Sequence, residues 1–340
     1  MTESFFAREL PGETPLGRQT AERLCKAAAS LRLLKPWSWM SEDQLVLVRD
    51  DGGQVHSASV MGAVGEFEAV AVYVGAAGQR FFEKAHGAPD LDLFLGEQHG
   101  IRVEFASRAE LDPSDRELLR QLAPEMMKGR GKVPIFRTVR PGYLAWYPTE
   151  EEGSLLARGL EAVALIAGHR ERVTWDGGRY PLVDWKDGDM VLSTGVPTRA
   201  AEVLPMPDLD QTRVKRAKSL PADGGMLIVD HFYAPTGIGK KNSRKAAFRA
   251  AVALDGGSGI ALAPVVAPPE ESTANLLAEV TLKGIETTKG RPEIVIVRSH
   301  DFESMLKPLA RGLGFKLQVI AEIPPLEEFK ALMLEHMTRG

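Results

Sequence analysis

Cysteine is almost missing from this 340-residue chain, which has only Cys25. One thiol cannot form an internal disulfide framework or a cysteine metal cage. The seven histidines show no zinc-binding spacing, with none paired at i, i+4 around a Glu. No G-x-S-x-G elbow occurs, so that nucleophile signature is absent. No apolar run approaches the length of a membrane-spanning helix, and no membrane partner is expected. The first fifteen residues, MTESFFARELPGETP, carry acids and prolines where a secretory leader needs a basic start and an apolar stretch. Cytoplasm is the expected compartment. A net charge of −4 gives no global attraction to nucleic acid or anionic lipid.

What remains is an ordinary globular composition, 44% hydrophobic and 26% charged. A chain of this length exceeds one typical core, so two domains are expected. The most ordered pattern lies in residues 224–320. Met226–Val229 is apolar on both faces, as a central buried strand requires, and ends at Asp230. Ala250–Leu254 and Ile260–Val266 flank Asp255-Gly256-Gly257-Ser258-Gly259, a hairpin signal. A helix follows, with Ser272 or Thr273 as its cap. Then come a strand over Ile294–Val297, a helix ending at Gly314, and a strand over Phe315–Ile320. Hairpin plus crossover helices predicts a mixed, helix-covered sheet.

That element order resembles the ribonuclease H-like fold over about 100 residues. The resemblance implies carboxylates at strand ends and on a helix, holding Mg²⁺ through hard oxygen ligands. Asp230 stands at the first such place. At the fourth strand the pattern departs: Arg298, Ser299 and His300 precede the nearest carboxylate, Asp301. Glu279 is the third candidate, with Glu271, Glu327 and Glu328 as alternatives. If the protein is an enzyme, Asp230 and Asp301 are the metal ligands and Asp230, Asp301 and Glu279 the catalytic set. Otherwise the sheet is a non-catalytic copy needing no cofactor, with Asp230 a surface loop residue.

The first half reads as a helix over Leu16–Leu34, then an α+β unit. Cys25 lies in that helix and reads as a packing residue. Gln44–Arg49 and Gln54–Val60 are strands joined at Asp50-Asp51-Gly52-Gly53. The glycines of Met61–Glu66 read as a tight turn, since a strand rather than a helix follows. Asp112-Pro113 and Thr149 before three glutamates read as helix starts. Val173–Asp176, Tyr180–Asp184 and Met190–Ser193 read as a small connecting meander. The expected division is 1–35 arm and helix, 36–170 α+β domain, 171–223 connection, and 224–340 the ribonuclease H-like domain. The fold class expected is α+β, mixing into α/β.

Two stretches carry binding chemistry. Met126–Trp146 interleaves Lys128, Arg130, Lys132, Arg137 and Arg140 with Phe136, Tyr143 and Trp146. Cations for phosphates and rings for bases are the means of single-strand recognition. The plainer alternative is an edge strand with inward aromatics. Gln211–Arg249 holds nine basic residues, among them Lys240, Lys241, Arg244 and Lys245, against Asp223 and Asp230. Such a block suits a polyanion or is a solvated loop.

The strings PWSWM, SVMGAVGEFEAVAVYVGAAG, DPSDRELLRQL and VPIFRTVRPGYLAW resemble an uncharacterised prokaryotic family built of domains of unknown function. There a domain of this type precedes one similar to residues 224–335. The resemblance implies that the two halves work as a unit and carries over no activity. The expectation is a non-catalytic binding or accessory module with nucleic acid or another protein as partner. The alternative is a metal-dependent nuclease or strand-transfer enzyme.

Overall fold

The computed structural model describes residues 13–63, 65, 67–86, 90–128, 131–199, 201 and 203–339, with side chains through residue 336. Most of the expected N-terminal arm, Val64 and Glu66 of the glycine turn, and Arg130 lie outside the described residues. The chain forms two compact units, Met1–Ala200 with Gly239–Lys245, and Ala201–Ile238 with Ala246–Gly340. Both contain mixed sheets and helices, which makes the class α+β. None of the described helices is long and apolar enough to cross a membrane.

The first unit runs α1 (Arg18–Leu34), β1 (Val46–Arg49), β2 (Val55–Met61), β3 (Glu68–Tyr73), α2 (Gly75–Ala85) and α3 (Leu91–Glu97). It continues with β4 (Gly100–Ala106), α4 (Pro113–Leu122), β5 (Val133–Val139), α5 (Glu150–Gly168), β6 (Tyr180–Lys186) and β7 (Asp189–Gly195). Its sheet has the order β5-β4-β3-β2-β1-β6-β7. The pairing β1–β6 is parallel and the others are antiparallel.

Local chemistry sets the helix starts. Asp112 accepts from the Asp115 N–H, and Pro113 occupies the first helical position, where its missing donor costs nothing. Thr149 and Glu152 bond reciprocally as a capping box. Leu24, Leu31, Leu156, Leu160 and Val163 of α1 and α5 then bury Val46, Val48, Val70 and Val72 of the sheet. Gly159 lets α5 approach β3, because a Cβ there would collide with Val72.

The expected separate connection, 171–223, does not stand apart. β6 joins β1 in the first sheet and carries β7 with it. Val173–Asp176 is not a strand; only an isolated bridge pairs Asp176 with Arg179. The physical cause is the parallel β1–β6 pairing, a long-range contact that local sequence does not announce.

The second unit runs α6 (Gln211–Lys218), β8 (Met226–Ile238), β9 (Ala246–Asp255), β10 (Val265–Val266) and α7 (Thr273–Thr288). β11 (Ile294–Val297), α8 (His300–Leu313), β12 (Lys316–Val319) and α9 (Pro324–Arg339) complete it. The order is β10-β9-β8-β11-β12, with β8 central as expected. The β8–β9 and β9–β10 pairs are antiparallel, and β8–β11 and β11–β12 are parallel.

β8 extends well past Val229. It runs through Pro235, where the ladder to β9 shifts register between Ala234 and Gly237. Proline fits such an irregularity, because no ladder bond needs its missing N–H. The segment Gly239–Lys245, expected within a solvated loop, is the tip joining β8 to β9. The Asp255–Gly259 turn forms, but the strand after it shrinks to Val265–Val266.

Alternation along β8 divides the second core. Leu227 and Val229 face α7 and α8. Ile228 packs with Val252, Leu254, Ile323 and Leu326, and Phe232 and Ala234 pack with Phe248 and Met333. Asp230 falls between these last two clusters.

Candidate functional site

Asp230 is fully buried, not a surface loop residue. The parallel register that pairs Ile296 with Ile228 carries Arg298 to the level of Asp230 two residues later. Arg298 Nε lies 2.9 Å from the carboxylate. Lys330, reaching down from α9, places Nζ 3.0 Å from the other oxygen. Both cations are themselves fixed. Arg298 donates to the His231 carbonyl at 2.8 Å and stacks 5.4 Å from the centre of the Phe302 ring. Lys330 sits 5.6 Å from the Phe232 ring centre and pairs with Glu327 at 3.3 Å. Burial pushes the Asp230 carboxyl above its ordinary range, while Arg298 and then Lys330 pull it back.

The neighbouring His231 points to the opposite face, so the two side chains cannot form a dyad. Its Nε2 accepts from Arg249 Nε at 3.0 Å, which places the ring proton on Nδ1. Burial, followed by the charges of Arg249, Arg298 and Lys330, holds His231 well below its ordinary pKa and keeps it neutral. Arg249 is almost fully enclosed. It donates to the Glu271 carbonyl at 2.5 Å and to Thr273 Oγ1 at 2.7 Å, fastening the start of α7 to the sheet.

These residues do not suit Mg²⁺. A hard cation needs several anionic or neutral oxygens, yet Asp230 already carries two cationic side chains. Asp301 lies exposed in the first turn of α8. Glu279 is engaged by Arg213 at 2.5 Å and Lys283 at 3.3 Å. Among the described residues no three His, Cys, Asp or Glu side chains are grouped to hold a metal. The expected set of Asp230, Asp301 and Glu279 is therefore not assembled, because Arg298 occupies the level where the second carboxylate was sought.

Arg137 and Arg140 of the first unit's basic stretch turn inward, while Lys128 stays on the surface. Arg137 contacts Asp115 at 2.7 Å and Asp112 at 3.0 Å, and lies 4.7 Å from the Tyr147 ring centre. Arg140 pairs with Glu152 at 2.7 Å and also with Glu13. Trp146 is bonded through its backbone to Thr138 and packs edge-on against Tyr147. Tyr143 closes a turn on the Arg140 carbonyl. Lys128 and Lys132 pair with Glu125 and Glu68.

The second basic stretch divides. Arg213 binds Glu279 and Glu286, and Arg249 is internal. Arg244 is buried with its guanidinium 3.6 Å from Glu152. Lys240 and Lys241 are exposed and Lys245 is half-buried, none with an acidic partner among the described residues.

A cavity of about 640 Å³ in the first unit includes Asp50, His56, Arg140, Glu150 and Arg158 in its lining. Sequence reasoning missed it. The β1–β2 hairpin sets His56 opposite Val48, close to Asp50 in the turn. His56 Nε2 lies 3.1 Å from Asp50, and its Nδ1 accepts from the Gly75 N–H. Both ring nitrogens are thus engaged, which leaves no free base. The buried Cys25 thiol is pushed up to about 12 by burial, so it is protonated and unreactive.

Residues 22–175 match the family model described as Domain of unknown function (DUF7309). Residues 213–334 match the model described as Domain of unknown function (DUF6930). The two matches lie in that order along the chain. The second match spans α6 to α9 and includes Asp230, Arg298 and Lys330. The first ends before β6, so β6 and β7 are sheet strands outside it. No curated protein matches the chain.

Proposed function

We propose that this protein is a non-catalytic binding module whose partner is an anionic polymer, with nucleic acid the first candidate. The observation that carries the reading is the state of Asp230, whose carboxylate is neutralised from both sides by Arg298 and Lys330. The order β10-β9-β8-β11-β12 supports treating the second unit as a ribonuclease H-like relative in which this ion cluster replaces metal ligands. Lys240, Lys241 and Lys245, at the tip joining β8 to β9, supply unneutralised cations for phosphate contact.

The test is fluorescence anisotropy with labelled single- and double-stranded oligonucleotides at about 50 and 200 mM salt, where counterion release is large. Affinity should fall steeply with salt and differ little among sequences. Replacing Lys240, Lys241 and Lys245 by alanine should weaken binding to all sequences and lower the salt slope by about one per lost contact. Arg244 stays in place, because it is buried. Absence of binding by folded protein at the lower salt would remove nucleic acid and leave a protein partner.

A further inference from the structure

A sheet edge is a template for another strand unless something blunts it. The two sheets have β5, β7, β10 and β12 at their edges. β5 is mostly buried and is bonded to Trp146 at Thr138. β10 has two residues. β12 has four and opens with the exposed Lys316. β7 has none of these protections. It has seven residues, Asp-Met-Val-Leu-Ser-Thr-Gly, six of them exposed, with no proline and no basic residue. Met190, Val191 and Leu192 stand 41%, 37% and 41% exposed.

The hairpin leading into β7 settles which backbone groups face outward. Asp187 and Gly188 have φ of +53° and +90°, the mark of a two-residue type I′ turn. Such a turn is closed by a hydrogen-bonded pair, here Lys186 and Asp189. Bonded and non-bonded pairs then alternate, so Met190, Leu192 and Thr194 are the non-bonded partners of Trp185, Val183 and Pro181. Their N–H and C=O groups point away from β6, and of these the Thr194 carbonyl is met by the exposed Arg179 guanidinium at 3.5 Å. Pro181 fits its place, having no N–H to donate.

The three outward residues are symmetric about Leu192. We propose that β7 is a self-association edge, on which a second copy of this chain pairs its own β7 antiparallel about a two-fold axis at Leu192. In that register Leu192 meets Leu192 of the partner subunit, and Met190 meets Thr194 of the partner subunit. Asp189 meets Gly195 of the partner subunit, so like charges are never opposed. About six backbone hydrogen bonds result, the two at the Thr194 carbonyls by displacing the Arg179 guanidinium.

The helix face supports the same occupant. Met190 and Leu192 share the face of Trp185 and Val183, which pack with the α1 and α5 core. A cavity of about 570 Å³ is lined by Met190, Ala27 and Leu165 together with charged side chains of α1 and α5 such as Lys26 and Glu161. An axis perpendicular to the sheet keeps both helix layers on one face, so each copy's edge covers the other's hollow.

Light scattering on the full chain, from low to high micromolar concentration, should give twice the chain mass of 37.1 kDa. Leu192→Lys sets two ammonium groups opposite each other across the axis. It should give the single-chain mass with an unchanged circular dichroism spectrum. Leu192→Cys should crosslink the two copies under mild oxidation, since Cys25 is buried. This variant decides the matter if the lysine variant does not fold. A wild-type chain of single mass throughout, a Leu192→Lys chain that stays dimeric, or a folded Leu192→Cys chain that never crosslinks would overturn the proposal. The first of these outcomes would leave the edge for a strand of another protein.

Discussion

Glu152 in the first unit and Asp230 in the second are both enclosed carboxylates facing two cations. Glu152 sits in the first turn of α5, where it accepts from Thr138 Oγ1 at 2.8 Å, Arg140 Nε at 2.7 Å and the Thr149 N–H at 2.9 Å. Arg244 stands 3.6 Å away. Burial pushes this carboxyl up, but those donors outweigh it, and Glu152 lies below its ordinary range. Asp230 sits mid-sheet between apolar clusters, and burial wins there. A carboxylate with a helix start, a hydroxyl and a backbone donor is stabilised by many small terms. One in an apolar layer depends on its two cations.

Arg298 is where the two carboxylates should differ most. Arg298→Met should destabilise the second unit by about 3–5 kcal/mol, because it strands a buried charge. Adding Asp230→Leu and Lys330→Met should recover much of that loss, since an apolar replacement of a buried ion cluster is often neutral. Urea titration followed by circular dichroism reads both, since all five tryptophans lie in the first unit. A single Arg298→Met cost below about 1 kcal/mol would place the cluster at a wet surface.

Ile228→Ala tests the apolar layer beside the cluster. Ile228 is 3% exposed on the central strand, so its truncation should cost about 2–5 kcal/mol. The expected effect at Glu152 is smaller. Glu152→Gln keeps the shape and weakens charge-assisted bonds, a loss of about 1–2 kcal/mol in the first unit. If Glu152→Gln costs more than Arg298→Met, the contrast between the two sites is reversed.

The smallest expected effect is a pH slope. His231 is held well below its ordinary value in the folded chain, so the unfolded chain takes up the proton first. The His231 contribution to the stability of the second unit should therefore fall as pH drops below about 6.5, by at most about 1.4 kcal/mol per pH unit, against an opposite contribution from the raised Asp230 carboxyl. Half-buried His99, which desolvation also holds below its ordinary value, adds the same sign as His231 in the first unit. Glu152, held below its ordinary value, contributes stability that is lost only at lower pH, below about 4.5. Urea titrations at pH 7 and 5.5 on wild type and His231→Gln should show the slope diminished in the variant, which can still accept from Arg249.

What local chemistry controls was legible. The apolar run Met226–Val229 marked the central strand, Asp112-Pro113 and Thr149 marked helix starts, and Gly314 marked a helix end. What depends on register was hidden. Arg298 reads as a residue just past a strand, and only parallel pairing sets it beside Asp230. Lys330 comes from a helix 100 residues further along the chain. Arg137 and Arg140 read as a basic surface because their acidic partners, Asp112, Asp115, Glu13 and Glu152, are distributed elsewhere in the sequence. Count and composition show the charges; pairing decides whether they are available.

Asp230 is committed to side-chain cations. Titration with Mn²⁺, followed by the paramagnetic resonance of the free ion, tests this on wild type and Asp230→Asn, with circular dichroism confirming that both are folded. The two proteins should give the same free-ion signal at every added concentration, and neither should cleave an oligonucleotide with Mg²⁺ or Mn²⁺ present. Loss of free ion with wild type that disappears in Asp230→Asn, together with Asp230-dependent cleavage, would contradict the claim and make this a metal-dependent enzyme.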